Sequence, residues 1–284
     1  VRLVIANPSS CGGKAKEVSQ RFIDFLEKNQ QVYILYTTNA EENTNTIQSL
    51  ITQHKIENIS ILGGDGTINI AINALPHLDF NLHLIPAGTG NDLAKMLYGS
   101  YSEKTVFQLV LDTKSTKEID CWKCNEYRFC NGFGAGFDGA VAHSMFRKTY
   151  ILPTKLKYWI EIFRHIFGYR SNHVSINGKP TPVFMLSAAN GKVYGGGFNV
   201  APLAEADDEL LDIITISKVS VLKRFLYLPK IEKGKHLHLK EINRTQLNKI
   251  EIKAERPLPA HLDGEPILSD SYSIYLEGKM RFAI

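Results

Sequence analysis

No run of 18 or more apolar residues occurs in this 284-residue chain, so none of its helices is expected to span a bilayer. Nothing in it reads as a signal peptide, and neither an internal repeat nor a low-complexity tract is present. Cysteine is scarce, limited to Cys11, Cys121, Cys124 and Cys130. Cys121 and Cys124 form one C-x-x-C with Cys130 close by, but a zinc knuckle needs a fourth ligand at matching spacing and none is there. Reduced thiols in a cytosolic protein are the simpler reading. A Walker A loop is missing too, since no G-x-x-x-x-G-K-[ST] occurs. Of the whole chain, 44% is hydrophobic and 22% charged, an ordinary globular composition with length enough for one large domain or two modest ones.

The net charge is only +4, but it is unevenly spread. Lys218 to Arg244 carries eight Lys and Arg residues against Glu232 and Glu241, and Arg147 to Arg170 carries six against Glu161 alone. The remainder is net acidic. Two basic stretches in one half of a chain suggest an anionic surface as partner.

The first third alternates. Leu3–Ile5, Val32–Tyr36, Ile59–Leu62 and Leu82–Ile85 are short apolar runs that read as strands. Between them Val18, Phe22, Phe25 and Leu26 fall on one helical face, Ile47, Leu50 and Ile51 mark a second helix, and Ile68–Leu75 and Asn91–Leu97 read as two more. This rhythm predicts a parallel sheet with helices on both faces. After about residue 115 the segments shorten. Tyr127–Cys130, His173–Ile176, Val183–Ser187, Asp212–Ile216 and Lys249–Ile252 suggest a β-sandwich or meander, interrupted by helices at Lys155–Phe167 and Val221–Pro229.

Three Gly- or Ser-rich loops follow strands of the first third. Gly63-Gly64-Asp65-Gly66-Thr67 joins a buried-looking strand to a helix. Glycines there admit close backbone approach, and a helix N-terminus favours phosphate. Asp65 could hold Mg²⁺ or a polar part of a nucleotide. Pro86-Ala87-Gly88-Thr89-Gly90-Asn91-Asp92 again joins a strand to a helix. Thr89 could bond a phosphate oxygen and Asp92 orient a cation, although Asn91 or Asp92 could equally be the helix N-cap. In Asn7-Pro8-Ser9-Ser10-Cys11-Gly12-Gly13-Lys14, Lys14 is placed to meet phosphate. In a parallel sheet all three loops open on the carboxyl edge, where ligands bind. Gly134-Ala135-Gly136-Phe137-Asp138-Gly139 satisfies G-x-G-x-x-G but lies in the β-rich half, with no helical period expected before Lys155, so it is not read as a dinucleotide fingerprint. Two acidic clusters remain. Glu205–Glu209 is a solvated loop or a site for a hard cation. Asp263-Gly264-Glu265 is a hairpin turn that could also supply a general base.

In this order the pieces resemble the bacterial soluble lipid kinases of the diacylglycerol kinase catalytic domain family, relatives of the sphingosine kinases. The resemblance covers nearly the whole chain: Asn7-Pro8 with Gly13-Lys14, Gly63–Thr67, Pro86–Asp92, Asn131–Gly139, Tyr194–Pro202, Asp208 with Asp212, and Asp263–Glu265. It implies a nucleotide-binding α/β domain over residues 1–120, a lipid-binding β-sandwich over 121–270 and a segment, 271–284, returning to the first domain. It implies that ATP contacts Asn7, Pro8, Ser9, Ser10, Cys11, Lys14, Thr37 or its neighbour Thr38, Gly64, Asp65, Gly66, Thr67, Ile68, Asn69, Ile70, Thr89 and Asp92, with Asp65 and Asp92 organising Mg²⁺ and phosphates. Glu265 would take the proton from the lipid hydroxyl, and a structural Mg²⁺ would sit on Asp208 with backbone oxygens of Glu205 and Leu210. The chain departs from the family pattern at Ile70, usually Glu, and at Cys11 and Glu209, both usually Gly.

The reaction expected is phosphoryl transfer from ATP to a membrane lipid, diacylglycerol first and a sphingoid base or other long-chain alcohol second. A NAD kinase would share Gly63–Thr67, and a lipid-binding regulatory protein with weak catalysis would be the reading from another class. The expected partners are the lipid and an anionic membrane surface, with no nucleic acid. A homodimer stays open. The expected location is cytoplasmic and peripheral to a membrane.

Overall fold

The computed structural model describes all residues except 9, 11–13, 28–31, 37–39, 112–114 and 148–153. It divides the chain into Val1–Ile119 with Gly278–Ile284, and Asp120–Glu277. The returning segment starts at Gly278 rather than at residue 271, because Ser271–Tyr275 are still paired within the second unit.

In the first unit β1 (Arg2–Ala6), β2 (Val32–Tyr36), β3 (Asn58–Gly63) and β4 (Asn81–Pro86) alternate with α1 (Lys14–Glu27), α2 (Ala40–His54) and α3 (Asp65–Ala74). Two short helices follow, α4 (Asp92–Tyr98) and α5 (Glu103–Leu109). The strands are parallel in the order β2-β1-β3-β4, and Arg281 and Phe282 pair parallel with Asn81 and Leu82 as a fifth strand. β1 is buried along its whole length and β3 nearly so. Such strands are covered on both faces and therefore read as unbroken apolar runs. The chain order reverses between β1 and β3, which is where doubly wound sheets bind ligands.

The second unit holds most of β5 (Thr116–Cys124), then β6 (Tyr127–Phe129), β7 (Gly132–Gly136), α6 (Phe137–Phe146), α7 (Thr154–Ile166), β8 (Asn172–Ile176), β9 (Lys179–Val183), β10 (Met185–Ala189), β11 (Leu211–Ile216), α8 (Val221–Glu232), β12 (Ile242–Leu247), β13 (Lys249–Leu262) and most of β14 (Glu265–Ala283), whose end from Gly278 belongs to the first unit. Strands β12-β11-β10-β7-β13-β14 are antiparallel neighbours, and β8 joins β9 to β13. This is a β-sandwich with helices on one face. The two-residue period of β10 and β11 separates two cores. Leu186, Ala188, Leu211 and Ile213 join Trp122, Phe133 and Ile250 on one face. Met185, Ala189, Ile214 and Ile216 meet α6, α7 and α8 on the other.

Two readings of the sequence are corrected. Val183–Ser187 is not one strand, because it breaks at Phe184, whose N–H and C=O are taken by Ile216 and Phe137. A helix, α6, does follow Gly134–Gly136 at once. Its Phe137, Gly139, Val141 and Ala142 are buried, so no polar face marks the period. β7 has only antiparallel neighbours, so the segment is still no βαβ dinucleotide unit.

Cys121, Cys124 and Cys130 are buried and form no disulfide among the described residues. Burial pushes the Cys124 thiol up to about 12, which leaves it inert as a nucleophile.

Candidate active site

The ladder of the parallel sheet runs on past its strands. Asn7 N–H donates to Leu62 O at 3.0 Å and Ala87 N–H to Gly63 O at 2.8 Å. The loops after β1, β3 and β4 are thereby set side by side on the carboxyl edge. Two of them touch through backbone. A Cβ on Gly88 would lie 2.4 Å from Gly64 Cα and 2.8 Å from Asn91 Oδ1. No other residue fits at Gly88, and a Cβ on Gly64 would press on Gly88 Cα at 3.1 Å, which is the physical reason for glycine at this approach.

Asp65 opens α3, and Gly64 offers it no side-chain cap. Its Oδ1 accepts the N–H of Asp92 at 2.9 Å, and a Cβ on Gly90 would fall 2.5 Å from Oδ2. The carboxylate thus sits between the two glycine loops and caps α4 from a distance. Asn91 is the N-cap by position, its C=O accepting Lys95 N–H, but its side chain caps no helix N–H. Asn91 is in the left-handed conformation at φ 53°, and its side-chain amide holds Gly88 N–H and Gly88 O, each at 2.9 Å. Asp92 is buried, with Lys95 Nζ 3.7 Å from its Oδ1. The helical period turns Thr67 and Ile68 into the protein, while Gly66, Asn69 and Ile70 are half-buried and Thr89 is exposed. Asn69 accepts from the Asn73 amide one turn on. At the first loop Asn7 and Pro8 are half-buried, and Ser10 N–H donates to Asn7 O at 3.1 Å. Lys14 is the first residue of α1. Ser9, Cys11, Thr37 and Thr38 lie outside the described residues.

Tyr101 also belongs here and has no motif to announce it. Burial pushes its phenol up, a hydrogen bond with Asn91 opposes the shift, and the Asp65 charge adds to it. Only the turn between α4 and α5 brings it to the loops, so no spacing in the sequence could have found it.

In the second unit Asp263 and Gly264, at φ 51° and 95°, make the two-residue turn between β13 and β14, the geometry that Asp-Gly favours in hairpins. The two carboxylates of this turn divide their work. Asp263 is structural: its Oδ2 accepts Cys130 N–H at 2.9 Å, and its Oδ1 accepts Asn131 N–H at 2.9 Å and Gly132 N–H at 2.7 Å. Asp263→Ala would leave three main-chain donors without their acceptor. Unsatisfied buried donors cost about 1–3 kcal/mol each, and water can recover part of that. Urea unfolding should therefore show a loss of about 3 kcal/mol, with unchanged stability arguing against the clamp.

Glu265 has no such task. Burial pushes its carboxyl above the usual carboxylate range, the neighbouring Asp263 charge adds to this, and His261 opposes it. A raised carboxyl in a half-buried position has the character of a general base. His261 is buried, accepts Gly264 N–H at its Nδ1 over 3.3 Å, and places Nε2 3.1 Å from Asp138 Oδ2. A Cβ on Gly134 would lie 2.3 Å from that same Asp138 oxygen and 2.4 Å from His261 Nε2, so the G-x-G segment makes room for this contact. Tyr194 adds its hydroxyl, which donates to Ser187 Oγ at 2.7 Å.

Asp138 and Tyr194 line an apolar cavity of about 60 Å³ within the second unit, part of it open to solvent. Ile162, Phe184, Val200 and Leu228 supply apolar walls, and Arg224 lies at its margin over the Phe184 ring at 4.4 Å. A mostly apolar pocket with a few placed polar groups suits a small lipid or ligand.

The acidic loop is ordered by hydrogen bonds of its own. Asp208 Oδ1 accepts Leu210 N–H at 3.0 Å and Oδ2 the Gln246 amide at 3.4 Å, while Glu205 is exposed. Glu209 sits at φ 63° and donates its N–H to Asp120 Oδ2 at 2.7 Å, so it takes the left-handed turn that glycine would take. Among the described residues no group of three or more His, Cys, Asp or Glu is arranged to hold a metal. The donors expected of Glu205, Asp208 and Leu210 are all oxygen, which suits Mg²⁺, but only one of them is a carboxylate.

Comparisons with known proteins fit this division of the chain. Residues 2–124 match the diacylglycerol kinase catalytic domain, and residues 132–273 match the YegS C-terminal NAD kinase beta sandwich-like domain. A probable lipid kinase YegS-like of Shewanella frigidimarina is 28% identical over 284 residues, covering 94% of this chain and 86% of its own. A diacylglycerol kinase of Mycobacterium tuberculosis is 28% identical over 230 residues, covering 73% and 74%. The crystal structure of a diacylglycerol kinase from Bacillus anthracis shares the fold at a TM-score of 0.73 and 21% identity, covering 99% of this chain and 96% of its own. With glycine loops facing each other at the sheet edge, a β-sandwich behind them in sequence, and both domain models matched in that order, the chain belongs to the bacterial lipid kinase family built from a diacylglycerol kinase catalytic domain and a YegS-type C-terminal domain.

Proposed function

We propose that the protein transfers the γ-phosphate of ATP to the hydroxyl of a long-chain lipid, diacylglycerol first. The observation that carries this reading is the apolar cavity of the second unit, with Asp138 and Tyr194 on its wall. A dinucleotide would find few partners there, which counts against NAD as the acceptor. Binding of ATP falls to the loops at Asn7, Gly64 and Gly88, whose backbone can approach phosphates closely. Mg²⁺ held near Asp65 and Asp92 would supply charge neutralisation to the phosphates. A structural Mg²⁺ on Asp208 with the carbonyl oxygens of Glu205 and Leu210 is part of the same proposal. Glu265 is the base that draws the proton from the lipid hydroxyl as it attacks. Retention of Asp65, Asp92 and Glu265 favours an enzyme over a purely regulatory binder.

The Asp138 carboxylate favours a second substrate class. A lipid with a cationic amine near its hydroxyl, as in a sphingoid base, would meet an opposite charge there.

A panel of diacylglycerol, sphingoid base and NAD with labelled ATP decides among these. Phosphorylation of NAD with no lipid turned over would sink the reading. The cavity is tested by Ile162→Trp, which fills it. Overpacking of this kind costs about 1–3 kcal/mol of stability. Turnover of long-chain lipid should fall by about tenfold, the worth of two or so buried methylenes, while a short-chain analogue is spared. Equal loss on both chain lengths would mean that the cavity does not hold the acyl chain.

A further inference from the structure

Gly99 ends α4 at φ 62°, with its N–H on Lys95 O at 2.9 Å. Ser102 then caps α5, its Oγ accepting Thr105 N–H at 3.1 Å. The short turn between these two caps folds Tyr101 back against Tyr98, with the rings edge to face and their centres 5.9 Å apart. Beyond the turn α5 is tied to the body of the first unit at three points. Arg2 Nη2 donates to Val110 O at 3.1 Å, and His83 Nε2 donates to Val106 O at 2.8 Å. Arg21 pairs with both carboxylate oxygens of Glu103, at 2.8 and 2.7 Å. Tyr101 therefore projects from a fixed base.

The two tyrosines act on different main chain. The fifth strand accompanies β4 only at Asn81 and Leu82. Past that point the Tyr98 hydroxyl stands in for a strand neighbour, accepting Leu84 N–H at 3.2 Å and donating to Leu84 O at 3.1 Å. Tyr101 reaches the loop after β4 instead. Its phenol is hydrogen-bonded to the Asn91 side chain. That side chain accepts Gly88 N–H and donates to Gly88 O, each at 2.9 Å. Asn91 itself is left-handed at φ 53°, a conformation asparagine keeps when its side chain bonds locally. Gly88 is the residue whose backbone meets Gly64 at the start of α3. A chain of contacts thus runs from α5 through Tyr101 and Asn91 to the glycine loop.

We propose that Tyr101 is a positioning residue, which holds the Gly88 loop through Asn91 in the shape that receives the phosphates of the nucleotide. A cradle of main-chain amides gains affinity from being set before its ligand arrives. Glycine is the residue least able to set itself, because it loses the most freedom on ordering. Asn91 holds Gly88 but stands at the head of a helix of only seven residues. The hydroxyl of Tyr101 supplies the anchorage that so short a helix lacks. This role deepens the proposed kinase reading and rests on it for the identity of the ligand, but the ordering of the loop can be measured with no nucleotide present.

Tyr101→Phe removes one hydroxyl and keeps the ring on Tyr98. Exchange of the Gly88 amide hydrogen, followed by NMR in the nucleotide-free protein, should quicken by about fivefold, the worth of one hydrogen bond. The Kd for a non-hydrolysable ATP analogue with Mg²⁺ should rise by about the same factor. KM for ATP should rise with it, while kcat at saturating ATP stays within about twofold of wild type. In an Asn91→Gly background, which tolerates the positive φ, Tyr101→Phe should change neither exchange nor affinity further. An unchanged Gly88 amide in folded Tyr101→Phe overturns the proposal. So does a loss of affinity that persists without the Asn91 side chain, since the hydroxyl would then act on the nucleotide directly. A lower melting temperature with exchange and affinity unchanged also overturns it and reduces Tyr101 to packing. Faster exchange with unchanged affinity does the same for the nucleotide role. Should the wild type bind no ATP analogue, the kinase reading fails, and the Gly88 exchange still decides whether Tyr101 orders the loop.

Discussion

Asp65→Ala is expected to bring lipid-dependent ATP turnover close to background, a loss of about 10²–10³-fold or more, the scale of removing one preorganised electrostatic contact from a transition state. The residue has two tasks at once. Its charge stands at the N-terminus of α3 between two glycine loops, and its Oδ1 holds the Asp92 N–H. Alanine removes both, so activity alone would not separate them. Asparagine does: the amide oxygen can still accept the Asp92 N–H, while the charge is gone. Asp65→Asn should therefore unfold in urea at nearly the wild-type midpoint and be as inactive as Asp65→Ala, which should lose about 1.5–3 kcal/mol as one charge-assisted hydrogen bond disappears. Normal turnover by a folded Asp65→Asn protein would remove the charge from the mechanism and leave Asp65 as a loop tie.

Glu265→Gln should slow turnover by about 10²–10⁴-fold, the usual worth of a positioned general base. The substitution keeps the size of the side chain, and the residue's main chain is paired with Leu262 in the hairpin, so fold and ATP affinity should stay near wild type. The pH profile supplies an independent readout. Burial raises the Glu265 carboxyl, and only the ionised form can accept a proton. For the wild type, kcat/KM should accordingly rise with pH through a value above the ordinary carboxylate range, and activity is lost as pH falls through it. The variant should lack that limb while keeping its residual rate. A retained limb in Glu265→Gln would assign the titration to another group, and a normal rate would make Glu265 a turn residue. Asp263 is then a poor substitute, because its two oxygens are occupied by the amides of Cys130, Asn131 and Gly132.

Ile70, at a position where the resemblance implies Glu, is half-buried on α3 one turn beyond Gly66. Glu209 is better explained. At φ 63° it adopts the glycine-like turn and its N–H is held by the buried Asp120, so the loop keeps its shape with a larger residue.

Local sequence was enough for the first half. Buried parallel strands must be apolar along their whole length, and the glycines that follow β3 and β4 are required by backbone contact, so both strands and loops can be read from short windows. The hairpin at Asp263-Gly264 is equally local, since two consecutive positive φ angles select those residues. Helix α6 is hidden because its buried Phe137, Gly139, Val141 and Ala142 do not fall into one apolar stripe and so mark no period, and the basic run does not reveal that Lys223 and Arg244 are spent on Glu241 and Asp212. The Asp138–His261 contact spans 123 positions and the Tyr101–Asn91 contact a turn between helices. Such encounters depend on how strands and helices stack, and no residue type at either end specifies them. The cavity is of the same kind. Most of its walls are ordinary core side chains, and the space exists only because α6, α7 and α8 cover one face of the sheet without filling it.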